Sequence, residues 1–199
     1  MLYISKQGHI DASRVTVRIF PLIEHDAMDV VRGIVVHQTG APTIESTFSS
    51  YKEPSAHGAH FLVDLDGKIY QTASLRRTTY HVGKMKSRCI EKRTCSAVEL
   101  KNVLQLQRQS STALHRHEAA KAWPERFPNN KDSIGIELVG YYSGEHGKEV
   151  YNPVTDAQMA SLKWLIRELE ETLSVSHQEI FRHPEIARKN TSEASSAEW

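Results

Sequence analysis

The stretch Gly33-Ile34-Val35-Val36-His37-Gln38 decides the centre of the fold. It is short, apolar and β-branched, which predicts a buried strand over residues 32–38 with His37 near its carboxyl end. A second run, Ser133-Ile134-Gly135-Ile136-Glu137-Leu138, has the same character and predicts another such strand over residues 133–139. Glu137 stands where a buried strand normally carries an apolar side chain, so its carboxylate requires an explanation.

The remaining pattern alternates between strands and helices. Residues 60–64 and 68–72 predict a hairpin through Asp66-Gly67, a pair that tolerates positive φ, and residues 41–52 are expected to be helical. Residues 155–158, Thr-Asp-Ala-Gln, fit a capping box. Apolar residues follow the capping box at helical spacing: Met159, Leu162, Leu165, Ile166, Leu169 and Leu173. This order predicts an α/β fold, with a central mixed β-sheet flanked by α-helices.

Length and composition predict one domain spanning residues 1–199, because 39% hydrophobic and 25% charged residues are ordinary values for a globular chain of 199 residues. The formal charge of +1 argues against nucleic acid as a partner. We expect no membrane insertion, since no apolar run approaches about 20 residues. The first residues lack the features of a secretory signal peptide, so synthesis in the cytoplasm is expected.

Two segments depart from the central pattern. Residues 1–30 are interpreted as an N-terminal extension and residues 84–131 as an inserted region, in which residues 113–123 are expected to be helical. Such an insertion either shapes a binding site or decorates the solvent-facing surface. Cys89 and Cys95 within it do not have metal-knuckle spacing, which leaves a local disulfide in an oxidising compartment or two free thiols.

His37 and His183, the latter in Arg182-His183-Pro184-Glu185-Ile186, suggest a zinc hydrolase. Catalytic zinc takes three protein ligands, uses imidazole and carboxylate readily, and keeps one position open. Because the chain has eleven histidines, a chance pairing is the alternative. A lone histidine after a buried strand is usually a hydrogen-bonded core or rim residue.

Five segments occur in one order along residues 31–193: Val-Val-His-Gln-Thr, Ala-His-Phe-Leu-Val-Asp-x-Asp-Gly, Tyr-His-Val-Gly, Ser-Ile-Gly-Ile-Glu-Leu and Arg-His-Pro-Glu-Ile. In that order they resemble the zinc-dependent N-acetylmuramoyl-L-alanine amidases. This family includes peptidoglycan-recycling amidases, phage endolysins and peptidoglycan recognition proteins. The resemblance implies a peptidoglycan recognition protein-like amidase fold, zinc as the cofactor and peptidoglycan as the substrate.

The resemblance also implies roles for individual residues. His37 and His183 correspond to zinc ligands, and Glu137 to the glutamate that activates the water, with pairing to a nearby cation as its structural alternative. His81 corresponds to a histidine lining the substrate cleft, with a rim histidine as the alternative. His60 is interpreted as orienting the site without binding metal.

The third ligand is where the sequence departs from the family, which places an Asp or Cys eight or ten residues after the second histidine. Thr191 lies at the shorter spacing and Glu193 at the longer one. We predict Glu193 as the ligand, since a neutral hydroxyl is a poorer zinc ligand, while Lys189 stabilises the oxyanion. Residues 190–199 have the composition of a frayed tail, whereas this assignment requires their start to be ordered.

A second departure is Ala59, where endolysin-like members carry a catalytic tyrosine; it favours the glutamate-using branch. The sequence thus predicts a zinc amidase that cleaves between N-acetylmuramic acid and L-alanine. A metal-free peptidoglycan-binding module is the rival. The settings considered are cytoplasmic recycling, phage lysis, and action in the periplasm as an antibacterial effector with an immunity partner. The cysteine pair and the insertion favour the last.

Overall fold

The two apolar runs form adjacent parallel strands in a six-stranded sheet. The structure is a computed structural model and describes residues 1–145 and 147–199. Its strands are β1 (Tyr3–Ile4), β2 (Ile10–Asp11), β3 (Val15–Val17), β4 (Gly33–Gln38), β5 (Phe61–Val63), β6 (Ile69–Gln71), β7 (Ser133–Leu138), β8 (Tyr142–Ser143), β9 (Val150–Tyr151) and β10 (Ile180–Arg182). Its α-helices are α1 (Ile44–Ser50), α2 (Arg88–Glu91), α3 (Ala97–Gln109), α4 (Ser111–Ala119), α5 (Asp156–Leu173) and α6 (His183–Ile186).

The central sheet is mixed, with strand order β10-β4-β7-β5-β6-β3. The pairs β10/β4, β4/β7, β7/β5 and β6/β3 are parallel, whereas β5 and β6 form the predicted antiparallel hairpin. Gly67 in the hairpin turn has φ +84°, which a glycine adopts without steric cost. Strands β10, β4, β7 and β5 therefore all end at the same edge of the sheet.

Side-chain alternation divides the β4 and β7 residues between two covered faces. Ile34 and Val36 pack with the apolar stripe of α5, which begins with the capping box of Thr155. Val35 points to the opposite face, where it packs with Val82, with Phe181 of β10, and with Met85 and Phe127 of the inserted region. Because the side-chain period of a strand is two, His37 lies on the same face as Val35, away from α5.

The inserted region is more helical than expected. Helix α4 begins at Ser111 and ends at Ala119, short of the expected residue 123, while α3 was not predicted. Only Val103 of α3 is buried, so most of this helix is exposed. A disulfide joins Cys89 and Cys95.

Both chain ends are built into the domain. Strand β3, from the segment interpreted as an extension, is an edge strand of the central sheet. Residues 190–199 are ordered: Ala194 and Ala197 are buried, and the Arg182 guanidinium donates to the Ala197 carbonyl and covers the Trp199 ring. No helix in the described part of the chain is long and apolar enough to cross a membrane.

Candidate active site

The common edge of the parallel strands gathers the predicted site residues. His37 is the register partner of Glu137 across the β4/β7 pair. On the other side of β4, strand β10 ends at Arg182 and His183 begins helix α6. Crevices at the carboxyl ends of parallel strands are the usual place for ligands in such sheets.

Two histidines and one glutamate converge at this edge. The Nδ1 atoms of His37 and His183 are 2.8 Å apart. Glu193 Oε1 lies 2.9 Å from His183 Nδ1 and 3.6 Å from His37 Nδ1. All three side chains are buried. The structure therefore brings Glu193 into the group, whereas Thr191 is exposed.

The hydrogen bonds of the far ring nitrogens determine which nitrogens face the centre. His183 Nε2 lies 2.8 Å from the carbonyl of Val82, which can only accept, so Nε2 carries the proton. The Ser133 hydroxyl donates to the Asn129 carbonyl and accepts from His81 Nε2 at 3.2 Å. His81 Nδ1 is then an acceptor for His37 Nε2 at 3.0 Å. Both Nδ1 atoms at the centre therefore lack a proton in the neutral rings.

Three acceptor atoms thus face one another without a proton between them, which is an arrangement that a cation stabilises. Burial lowers the pKa of His37 to about 4, so this ring is neutral at pH 7. Two imidazoles and one carboxylate are a donor set that catalytic zinc takes.

Glu137 lies beside this group and is held by a residue that the sequence did not reveal. The hydroxyl of Tyr51, which is 2% exposed, donates to Glu137 Oε2 at 2.7 Å. The same hydroxyl accepts from the backbone nitrogen of Ala59 at 3.4 Å. Burial raises the pKa of Glu137 to about 7; the Tyr51 hydrogen bond opposes this shift and the Glu193 charge adds to it.

His81 is buried against strand β7, and both of its ring nitrogens have partners within the protein. Gly135 makes this position available, because a Cβ there would lie 2.9 Å from His81 Nδ1. His81 also lines the cavity above the histidines. Its contact with His37 is the kind that fixes the orientation of a ligand ring.

His60 has no contact with the converging group. Its Nε2 donates to the Arg77 carbonyl at 2.9 Å, and its Nδ1 accepts from the backbone nitrogen of Gly135 at 3.1 Å. Burial lowers the pKa of His60 to about 4. The ring thus ties β5 to β7 close to the site.

Gln38 lies in the Val-Val-His-Gln-Thr segment, but the sequence assigns it no role of its own. Its Oε1 accepts from the backbone nitrogen of Ala194 at 3.2 Å, and its Nε2 donates to the Asn152 carbonyl at 2.8 Å. Ala194 has φ +53°, a left-handed conformation, directly after Glu193. The side chain of Gln38 thereby fixes the turn that presents Glu193 to the histidines.

Two openings meet at the site. We call the first the metal-site cavity; it has a volume of about 460 Å³, and its lining includes His37, Glu137, His183 and Glu193. We call the second the basic cleft; it has a volume of about 1050 Å³, and its lining includes Lys86, Lys148, Arg188 and Lys189. Lys189, Tyr151 and Glu193 line both openings.

A second group of histidine and carboxylates lies in the inserted region and consists of Glu99, His117 and Glu118. The ammonium group of Lys121 lies 2.6 Å from Glu99 Oε1 and 2.7 Å from Glu118 Oε1. These carboxylates already have a cationic partner, so we assign no metal to this group.

The family model described as N-acetylmuramoyl-L-alanine amidase matches residues 27–195. The chain belongs to the N-acetylmuramoyl-L-alanine amidase family. This match covers most of the chain and confirms the predicted family and enzyme class. No curated protein matches the sequence.

Solved structures confirm the predicted fold class. A structure of AmpD is 20% identical, covers 100% of this chain and 96% of its own, and has a TM-score of 0.60. The catalytic domain of XlyA is 20% identical, covers 88% and 87%, and has a TM-score of 0.52. AmiD from E. coli, in complex with anhydro-N-acetylmuramic acid-L-Ala-D-gamma-Glu-L-Lys, is 18% identical, covers 94% and 59%, and has a TM-score of 0.53. At these identities the likeness shows the amidase fold alone.

Proposed function

We propose that the protein is a zinc-dependent amidase that hydrolyses the bond between N-acetylmuramic acid and L-alanine of peptidoglycan. His37, His183 and Glu193 hold the zinc. The observation that carries this proposal is the convergence of the two histidine Nδ1 atoms and a Glu193 oxygen, with Nδ1–Nδ1 and Nδ1–Oε1 distances of 2.8 and 2.9 Å. When bound, zinc supplies Lewis acidity for polarising a carbonyl oxygen and lowering the pKa of water.

The residues around the zinc ligands divide the remaining work. Glu137 accepts the proton of the attacking water at a carboxylate oxygen and delivers it to the leaving amine of L-alanine. The hydroxyl of Tyr51 donates to Glu137 Oε2, and this hydrogen bond fixes the direction of the carboxylate. Val82 and His81 keep the ligand nitrogens of His183 and His37 facing inward.

Lys189 is the oxyanion-stabilising residue in this proposal. It lines the metal-site cavity and is exposed, so its ammonium group is available to a substrate. Negative charge develops on the carbonyl oxygen as water adds, and a cation beside that oxygen lowers the barrier. Lys189 thus stabilises the developing negative charge, whereas Glu137 transfers the proton.

The converging group also favours an enzyme over a metal-free binding module. A module without metal has no need for three buried acceptors without protons between them, because unpaired buried polar groups are costly. The presence of Glu137, oriented by a buried tyrosine, is equally a feature of catalysis. Both observations support hydrolysis as the function.

Metal analysis and product analysis test the proposal together. Purified protein should contain about one zinc per chain, lost on chelation, and should release peptides with new L-alanine amino termini from cell-wall sacculi. His37→Ala and Glu137→Gln should remove activity, whereas Glu125→Gln, at an exposed position, should retain it. Full activity in Glu137→Gln, or sacculus binding without hydrolysis by the zinc-loaded protein, contradicts the assignment.

We further propose that the protein acts in a periplasm as an antibacterial effector, with an immunity protein as its partner. The Cys89–Cys95 disulfide supports an oxidising compartment. Expression directed to the periplasm should lyse cells, and expression in the cytoplasm should not. The Glu137→Gln variant is the matched control for both compartments. Harmlessness of the active enzyme in the periplasm counts against the effector role.

A further inference from the structure

The basic cleft lies next to the metal centre and carries an excess of positive charge. Four cationic residues line it: Lys86, Lys148, Arg188 and Lys189. The acidic lining residues are Glu149 and Glu193. Glu193 is engaged with the two histidines, and Glu149 accepts from the Asn190 amide.

The local backbone explains why two of these cations face the cleft. Residues 84–86 and 186–188 run antiparallel: the Lys86 nitrogen donates to the Ile186 carbonyl at 2.8 Å, and the Arg188 nitrogen donates to the Lys84 carbonyl at 2.9 Å. Met85 and Ala187, bridged at the centre, are buried. Their neighbours along an extended chain point the opposite way, so Lys86 and Arg188 face outward.

Among the described residues, the four cations of the basic cleft have no carboxylate partner of their own. Within residues 1–145 and 147–199, no carboxylate oxygen lies within 4.0 Å of their side-chain nitrogens. The Lys86 ammonium donates to the carbonyl of Pro184, which leaves its charge uncompensated. A cleft of about 1050 Å³ with this charge is suited to an anionic group of a ligand.

We propose that the basic cleft binds the free α-carboxylate of the γ-linked glutamate in the peptidoglycan stem peptide, and that Arg188 and Lys148 select for it. This inference rests on the proposed function. The peptide seen with AmiD contains L-Ala-D-gamma-Glu-L-Lys. A γ linkage uses the side-chain carboxyl group of glutamate, so the α-carboxyl group remains free and negatively charged.

The position of the cleft agrees with the distance along the substrate. The glutamate follows the L-alanine whose amide bond is cleaved, which places its carboxylate within about 7 Å of the reacting carbonyl along an extended chain. Lys189 lines both the metal-site cavity and the basic cleft, so the cleft begins beside the reacting group. Arg188 can offer two parallel N–H donors to a carboxylate.

Two peptides that differ in one group test the proposal. One is muramoyl-L-Ala-D-γ-Glu-L-Lys; the other carries D-isoglutamine, in which the α-carboxylate is a neutral carboxamide. The zinc-loaded wild-type enzyme should cleave the first with a kcat/KM roughly tenfold higher at low ionic strength. This preference should shrink as salt is raised, because screening weakens contacts between partly exposed charges.

Charge-neutral variants locate the preference. Arg188→Gln and Lys148→Gln should each reduce the ratio of kcat/KM on the glutamate peptide to kcat/KM on the isoglutamine peptide. In the double variant this ratio should be close to one, because only the activity on the glutamate peptide falls. Lys101→Gln, the same change at an exposed position of α3, should keep the wild-type ratio. Equal cleavage of both peptides by the wild type, or an unchanged ratio in the double variant, overturns the inference.

A binding measurement separates this inference from the proposed function. Chelator-treated protein should bind the acidic peptide more tightly than the amidated one in calorimetric titrations, and the double variant should lose the difference. Preferential binding without hydrolysis by the zinc-loaded protein would refute the amidase mechanism and support the basic cleft. Hydrolysis by an enzyme that shows no preference in either assay would support the amidase mechanism and refute the role of the basic cleft.

Discussion

Removal of the Cys89–Cys95 disulfide should lower the free energy of unfolding by about 2 kcal/mol. The two cysteines are six residues apart, and closing so short a loop removes on the order of 7 cal/mol/K of entropy from the unfolded chain, or about 2 kcal/mol at 25 °C. The loop follows Arg88, whose guanidinium donates to Glu179 Oε2 at 2.8 Å. Removal of the disulfide therefore changes a loop whose start is held beside strand β10 by this ion pair.

Urea denaturation followed by far-UV circular dichroism provides the measurement. Oxidised wild type, wild type with reductant, and a Cys89→Ser/Cys95→Ser variant should be compared, with thiol titration confirming each state. The reduced wild type and the serine variant should have the same free energy of unfolding, and both should be less stable than the oxidised wild type. Reductant should leave the serine variant unchanged. Equal stability of the oxidised and reduced proteins would refute the reasoning.

Three further changes should have measurable effects. Glu193→Gln keeps the size of the side chain and removes its charge, so zinc affinity should fall by more than about tenfold in competition with a chelating dye. Tyr51→Phe removes the donor to Glu137, and kcat should fall by about tenfold with little change in KM. Burial lowers the pKa of His60 to about 4 from its ordinary value of 6.5, so the unfolded chain binds more protons between these values. Stability is therefore lost as pH falls from 6.5 towards 4, by about 3 kcal/mol; metal-free His60→Gln should show a smaller loss than metal-free wild type in denaturation at each pH.

The central strands could be predicted because their sequences leave little choice. A short β-branched run such as Ile34-Val35-Val36 favours a buried strand, and His37 and Glu137 lie near the carboxyl ends of their runs, so both reach the same edge of the sheet. Helix α5 could be predicted equally well, because its capping box and apolar stripe are local features of the sequence. In both cases the signal lies within a few residues of the element that it predicts.

Helix α3 is a helix that the sequence analysis does not predict, and it contributes little to the core. Val103 is its one buried residue, and the helix packs mainly against α4. A signal was nevertheless present, because Ser96 stands three residues before Glu99 and its side chain accepts from the Glu99 nitrogen. The Ser-x-x-Glu pattern is a local marker of a helix start.

Other parts of the site had no local signal. Tyr51 lies at the end of α1 and reaches Glu137, which is 86 residues away in the chain. Gln38 holds the turn at Ala194 across 156 residues. Tyr51 belongs to none of the five segments, and Gln38 belongs to one of them without a role of its own. What matters for both is the position that the packed elements give to the side chain.

The sequence by itself determined the central strands, helix α5 and the family, and it predicted His37, His183 and Glu193 as zinc ligands, because these inferences depend on short-range periodicity and on segments with recognisable order. Tertiary structure decided what composition left open: Glu193 rather than Thr191 reaches the histidines, and residues 190–199 are ordered rather than frayed. The physical reason is that these outcomes depend on long-range hydrogen bonds and burial. The left-handed turn at Ala194 exists because Gln38, Arg182 and the core fix the surrounding chain.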